Sequence, residues 1–80
     1  MTLKLESFIK FETGNDNAIL DALKQIPEVS KILSITGDSD LLVEIISDKS
    51  EDLMEIIEYI SMISGVSEIH SHYVMLEWEK

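Results

Sequence analysis

Ile35-Thr36-Gly37-Asp38-Ser39-Asp40-Leu41-Leu42-Val43-Glu44-Ile45-Ile46 reads as the end of one strand, a tight turn and the start of the next. Gly37 accepts positive φ without a Cβ penalty, and Asp38, Ser39 and Asp40 carry side chains able to hydrogen-bond a turn backbone. Two carboxylates and several free N–H groups then gather at one hairpin tip. The aliphatic run that follows reads as the start of the next strand.

Working outward, Val29 to Thr36 forms the strand before the turn and Leu41 to Ser47 the strand after it. Upstream, Leu3, Leu5, Ile9 and Phe11 alternate with Lys4, Glu6, Phe8 and Lys10, which is the period of a strand. Glu12 to Asn17 is turn-rich, with Asn15 or Asp16 as helix cap. Ala18, Ile19, Ala22, Leu23 and Ile26 then line one helical face, and Pro27 ends it. Downstream, Asp48 or Ser50 caps a second helix whose apolar stripe is Leu53, Ile56, Ile57, Ile60 and Ile63, stopped at Ser64-Gly65. Val66 to Trp78 reads as a long last strand.

The order is β-α-β-β-α-β, and an internal repeat supports it. Ile26-Pro27-Glu28-Val29-Ser30-Lys31-Ile32 and Ile63-Ser64-Gly65-Val66-Ser67-Glu68-Ile69 share the frame Ile-x-x-Val-Ser-x-Ile at both helix-to-strand junctions. A duplicated βαβ half builds the ferredoxin-like plait, an α+β fold with a four-stranded antiparallel sheet and two helices on one face. The strands are apolar on both sides: Leu41, Val43 and Ile45 oppose Leu42 and Ile46, while Ile69, Tyr73 and Met75 oppose Val74, Leu76 and Trp78. A second apolar face points to self-association through the uncovered side of the sheet.

Composition removes several functions. Eighty residues suffice for one domain, and a domain of this size buries only about 60% of its unfolded surface, so association helps it. The formal charge is −10, with six lysines and no arginine. Direct nucleic-acid binding and an anionic membrane surface are therefore disfavoured. Cysteine is absent, so disulfides and thiolate chemistry are excluded. No signal peptide or membrane span is visible, which leads to the expectation of a cytoplasmic protein.

The hairpin stretch, taken with its neighbours, resembles the effector-binding (RAM) domain of Lrp/AsnC transcriptional regulators over about residues 7 to 77. Thr36-Gly37-Asp38-Ser39-Asp40-Leu41-Leu42-Val43 is similar to the family's Gly-x-x-Asp turn entering an aliphatic strand. Phe8 to Gly14 looks like its first strand and loop, and Ala22 to Val29 like its leucine-rich helix ending in Pro-x-Val. Ile63-Ser64-Gly65-Val66 is similar to its Pro-Gly-Val junction. The resemblance implies a stand-alone ligand-binding domain without a helix-turn-helix. It also implies homodimers formed through the sheets (the dimeric α/β barrel arrangement), octamer-like higher assemblies and an amino acid effector bound between dimers.

By the same resemblance Gly37, Asp38, Ser39 and Asp40 form the ligand-binding turn. Ser71 matches one of two threonines in the last strand, and Ile69 stands at the other. An α-ammonium group would pair with Asp38 or Asp40, and a carboxylate would meet the turn N–H groups. The alternative role for these aspartates is to cap the hairpin.

Other chemistry is weaker. His70 and His72 share a strand face beside Glu68, a partial metal set with no third or fourth ligand; no metal or other cofactor is expected. No nucleophile–base pattern or phosphate-binding loop appears, so the chain is read as a non-enzyme, with a small dimeric ferredoxin-like enzyme using His70 or His72 as base the less favoured alternative. A module without its own DNA reader has a further role open to it: co-assembly with a full-length Lrp/AsnC regulator, lowering that assembly's avidity for DNA. The ACT domain, another amino-acid-binding plait, is the nearest confusion, but Gly14 lacks its flanking signature.

Overall fold

The computed structural model describes residues 1–12, 14 and 16–80. Its elements are β1 (Leu3–Phe11), α1 (Asp16–Lys24), β2 (Val29–Ser34), β3 (Leu41–Ser47), α2 (Ser50–Ser61) and β4 (Val66–Tyr73). The sheet is antiparallel throughout, in the order β2-β3-β1-β4, which is the split-βαβ topology expected from the repeat. No described helix is long and apolar enough to cross a membrane.

β1 and β3 form the middle of the sheet, and the period-two rule sorts their side chains. Leu5, Ser7 and Ile9 from β1 and Leu41, Val43 and Ile45 from β3 face the helices and are buried. Ile19 and Leu23 from α1 and Leu53 and Ile60 from α2 close the core from the other side. Ser7 is the one buried polar residue among them. Its hydroxyl is satisfied by Ser71 Oγ at 2.8 Å, directly opposite in the β1–β4 register.

The repeat in the sequence is a repeat in hydrogen bonding. Val29 N–H donates to Ile26 C=O, and Val66 N–H donates to Ile63 C=O, both at 3.1 Å. Ile26 N–H reaches Leu23 C=O just as Ile63 N–H reaches Ile60 C=O. Both helices therefore tighten into the same closing turn before their strand, with Gly65 at φ 97° in the second copy.

Several boundaries move. β4 ends at Tyr73, not Trp78: its last bond to β1 is Val74 N–H to Lys4 C=O at 2.9 Å, near the start of β1. The segment beyond leaves Met75, Leu76 and Trp78 80–90% exposed. β2 ends at Ser34 opposite Leu41, so the hairpin connection is wider than a tight turn and spans Ile35 to Asp40. Neither Asp48 nor Ser50 caps α2. Lys49 occupies the cap position without a side-chain bond; instead Ser47 Oγ accepts from Lys49 N–H and donates to Asp52. Asp16 is the first helical residue of α1 rather than its cap, and Asn15 lies outside the described residues, as does Thr13.

The uncovered sheet face is more mixed than the alternation implied. Leu33, Leu42, Ile46 and Phe8 supply apolar surface, but β4 contributes Glu68, His70 and His72, because Val74, Leu76 and Trp78 lie past its end. Lys4 sits among acids on this face, 3.5 Å from Glu44 and 2.7 Å from Glu77. Glu44 also accepts from Ser30 Oγ at 2.7 Å. The Ser30 hydroxyl, then the Lys4 and Lys31 charges, hold the Glu44 carboxyl below its ordinary value of 4.5, against the opposing effect of burial.

That shift has a sign. Glu44 contributes stability that is fully present above the ordinary carboxylate range and is lost as pH falls through the depressed value. Urea titrations of the Glu44→Gln variant between neutral pH and pH ~3 will therefore show a shallower acid-side loss of stability than the parent.

Candidate functional site

The hairpin tip is built on Asp40. Its N–H donates to Ile9 C=O at 2.9 Å, extending the β3–β1 ladder one step past Leu41. Its Oδ2 accepts from Phe11 N–H at 3.0 Å, and its C=O accepts from Ile35 N–H at 3.1 Å, closing the loop. Phe11 needs this acceptor because the β1–β3 ladder ends at Ile9 and Leu41, which leaves the Phe11 amide beyond the last strand partner on that side. Asp40 thus has a structural bond that the turn sequence alone did not show. Its carboxylate holds the neighbouring strand, not its own turn.

The remaining tip residues are presented outward. Gly37 takes φ 111°, the left-handed region in which an L side chain is strained, while the space around its absent Cβ is open. Backbone conformation, not a packing limit, thus selects glycine there. Gly37 and Asp38 are exposed, and Ser39 and Asp40 are half-buried.

Ser71 lies elsewhere. It faces the helix layer on β4, bonded to Ser7, with β1 intervening between it and β3. Two strand spacings alone put it roughly 10 Å from the β3 line. Within one chain the tip and Ser71 therefore do not form a common pocket. Ile69 lies opposite Ile9 and packs against the core, a sufficient apolar role for that side chain.

His70 and His72 stand on the uncovered face as expected from their spacing. His70 Nε2 is 3.7 Å from Glu68, His72 pairs across the sheet with Glu6, and its ring meets Phe8 edge-on at 6.2 Å. The described residues hold no group of three or more metal-ligating side chains.

Sequence reading missed Phe11 as the partner of Asp40. The register that places Ile9 opposite Leu41 is the signal that locates it, and that register is a property of the paired strands. Loss of Asp40's charge-assisted bond leaves the Phe11 amide without its acceptor. Asp40→Ala will lower unfolding free energy by about 1.5–3 kcal/mol. Asp38→Ala, at an exposed position, will stay within about 0.5 kcal/mol of the parent in the same denaturation series.

Comparison with known proteins agrees with this architecture. The family model described as the Lrp/AsnC ligand binding domain matches residues 7–80. The HTH-type transcriptional regulator FL11 of Pyrococcus furiosus is 30% identical over 67 residues, covering 84% of this chain and 44% of that protein. The chain thus spans less than half the length of that relative. Among solved structures, TTHA0845 from Thermus thermophilus superposes with a TM-score of 0.87 at 19% identity, covering 98% of this chain and 99% of that one. The transcriptional regulator NMB0573 from Neisseria meningitidis, solved as a complex with L-Met, gives 0.83 at 18% identity over 98% of this chain and 53% of its own. Both structural likenesses are to the βαββαβ plait described above. The chain belongs to the Lrp/AsnC ligand-binding-domain family, a family of transcription regulators.

Proposed function

We propose that this domain is a regulatory rather than catalytic unit, a single ligand-binding module of the cytoplasm that takes up an amino acid-like effector at the hairpin tip. The observation that carries the reading is the division of labour between the two aspartates. Asp40 spends its carboxylate on the Phe11 amide and so holds the tip against the sheet, while Asp38 remains exposed beside the Gly37–Ser39 backbone. A held loop offering one carboxylate and successive N–H groups suits the ammonium and carboxylate of an amino acid. The L-Met complex of the Neisseria regulator supports the choice of ligand class.

The proposal includes assembly. Leu33, Leu42, Ile46 and Phe8 make the uncovered sheet face a surface for a second copy, and the Lys4–Glu44 pair would set its register. Ser71 lies away from the tip within one chain, so its place in an effector site depends on neighbouring subunits in a higher oligomer. Sheet-to-sheet pairing is also the surface by which the module would join a full-length Lrp/AsnC regulator. With few cations and a net charge of −10, the chain would take no direct part in DNA binding.

A thermal-shift panel of the twenty amino acids tests the effector reading. A ligand at 100 times its Kd stabilises the native state by about 2.7 kcal/mol, and Asp38→Ala will reduce that gain. An unchanged response in Asp38→Ala would refute the tip assignment. A silent panel, with light scattering showing a dimer, would instead favour the co-assembly role.

A further inference from the structure

A groove of about 380 Å³ runs between α1 and the β2–β3 side of the sheet. The floor is apolar, from Phe11, Leu20, Ile32 and Leu41, and its ends are charged in opposite senses. Asp16, with Asn17, lies at one end and Lys24 at the other. A larger groove of about 530 Å³ lies where the chain's two ends meet, but it lacks this opposition of charge and is walled by the terminal Met1 and the exposed Met75.

Asp16 and Lys24 are the first and last residues of α1. At about 1.5 Å of rise per residue they stand roughly 12 Å apart along the helix axis. Leu20 lies midway, one helical turn from each, so it shares their face. Lys24 is the single cation among the described residues lining the groove, in a chain whose acids outnumber its bases 16 to 6. Lys24 is therefore the one charged side chain of this slot that attracts an anionic group.

We propose that this groove is a second small-molecule site, distinct from the hairpin tip, for an elongated zwitterion. Its carboxylate sits on Lys24, its methylene body lies over Leu20 and Ile32, and its ammonium reaches Asp16. The charge separation is the specificity. A ligand carrying both charges on one carbon spans too little of the groove to meet both ends, and an uncharged tail leaves Asp16 unmatched. The site needs neither a second subunit nor Asp38, so it stands or falls apart from the effector reading.

The test is an NMR titration of amide shifts in the full chain with three probes of similar apolar bulk: 6-aminohexanoate, norleucine and hexanoate. The first will bind best, with shifts at Leu20 and Ile32, and about tenfold tighter than either other probe. Lys24→Gln, at an exposed position that leaves the fold intact, will weaken it about tenfold. Asp16→Asn will bring 6-aminohexanoate down to the level of hexanoate, and Asp38→Ala will change nothing. Equal or tighter binding of norleucine, an unchanged affinity in Lys24→Gln, or no shifts with millimolar probe would each overturn the proposal.

Discussion

The structure depends on β1 pairing antiparallel with β3 on one side and β4 on the other. Every other element is positioned by that double register. It aligns Leu5, Ser7 and Ile9 with Val43 and Ile45 across one seam and with Ile69, Ser71 and Tyr73 across the other. The apolar members of this lattice meet Ile19, Leu23, Leu53 and Ile60 from the helices. A slip of one residue would exchange this face for Lys4, Glu6, Phe8 and Lys10. Burying those charges in place of aliphatic side chains would cost far more than the loss of any single contact.

The same register supplies the polar details on which the site rests. Ser7 is tolerable in the core because Ser71 lies opposite it. The β1–β3 ladder stops at Ile9 and Leu41, which leaves the Phe11 amide free, and Asp40 is the residue at hand to accept it. The hairpin tip is thus anchored from a strand that is remote in sequence. Gly37 lets the connection turn, but Asp40 fixes where the turn points. On the other face, Lys4, Glu44 and Glu77 tie the start of β1 to the segment after β4. Those pairs are partly solvated and contribute specificity of arrangement more than stability.

Legibility in the sequence followed the range of the interaction. The alternation in β1 and β3, the apolar stripes of both helices and the Ile-x-x-Val-Ser-x-Ile repeat are local patterns, and each maps to an observed element. Ends of elements were less legible because they depend on a partner's length. Val74 to Trp78 alternates as a strand should, yet its bonding to β1 stops at Lys4, near the start of that strand. The cap of α2 failed for a related reason: Ser47, outside the expected capping positions, meets Lys49 N–H and Asp52 together. At the hairpin tip, the Gly37–Asp40 cluster was visible, but the bond from Phe11 to Asp40 was not, since nothing local marks Phe11 as a partner.

By itself, then, the sequence determined the element order, the apolar face of each element, the glycine-dependent turn and the acidic, arginine-free surface. These follow from side-chain periodicity, backbone preference and charge, all of which act over a few residues or over none. Only the tertiary structure decided that Asp40 holds the Phe11 amide while Asp38 is exposed, that Ser71 bonds Ser7 within the chain, and that β4 stops at Tyr73. It alone opened a groove under α1 with Asp16 and Lys24 at its ends. Each of these outcomes needs two segments brought side by side in a defined register, and that relation is created by sheet pairing and core packing.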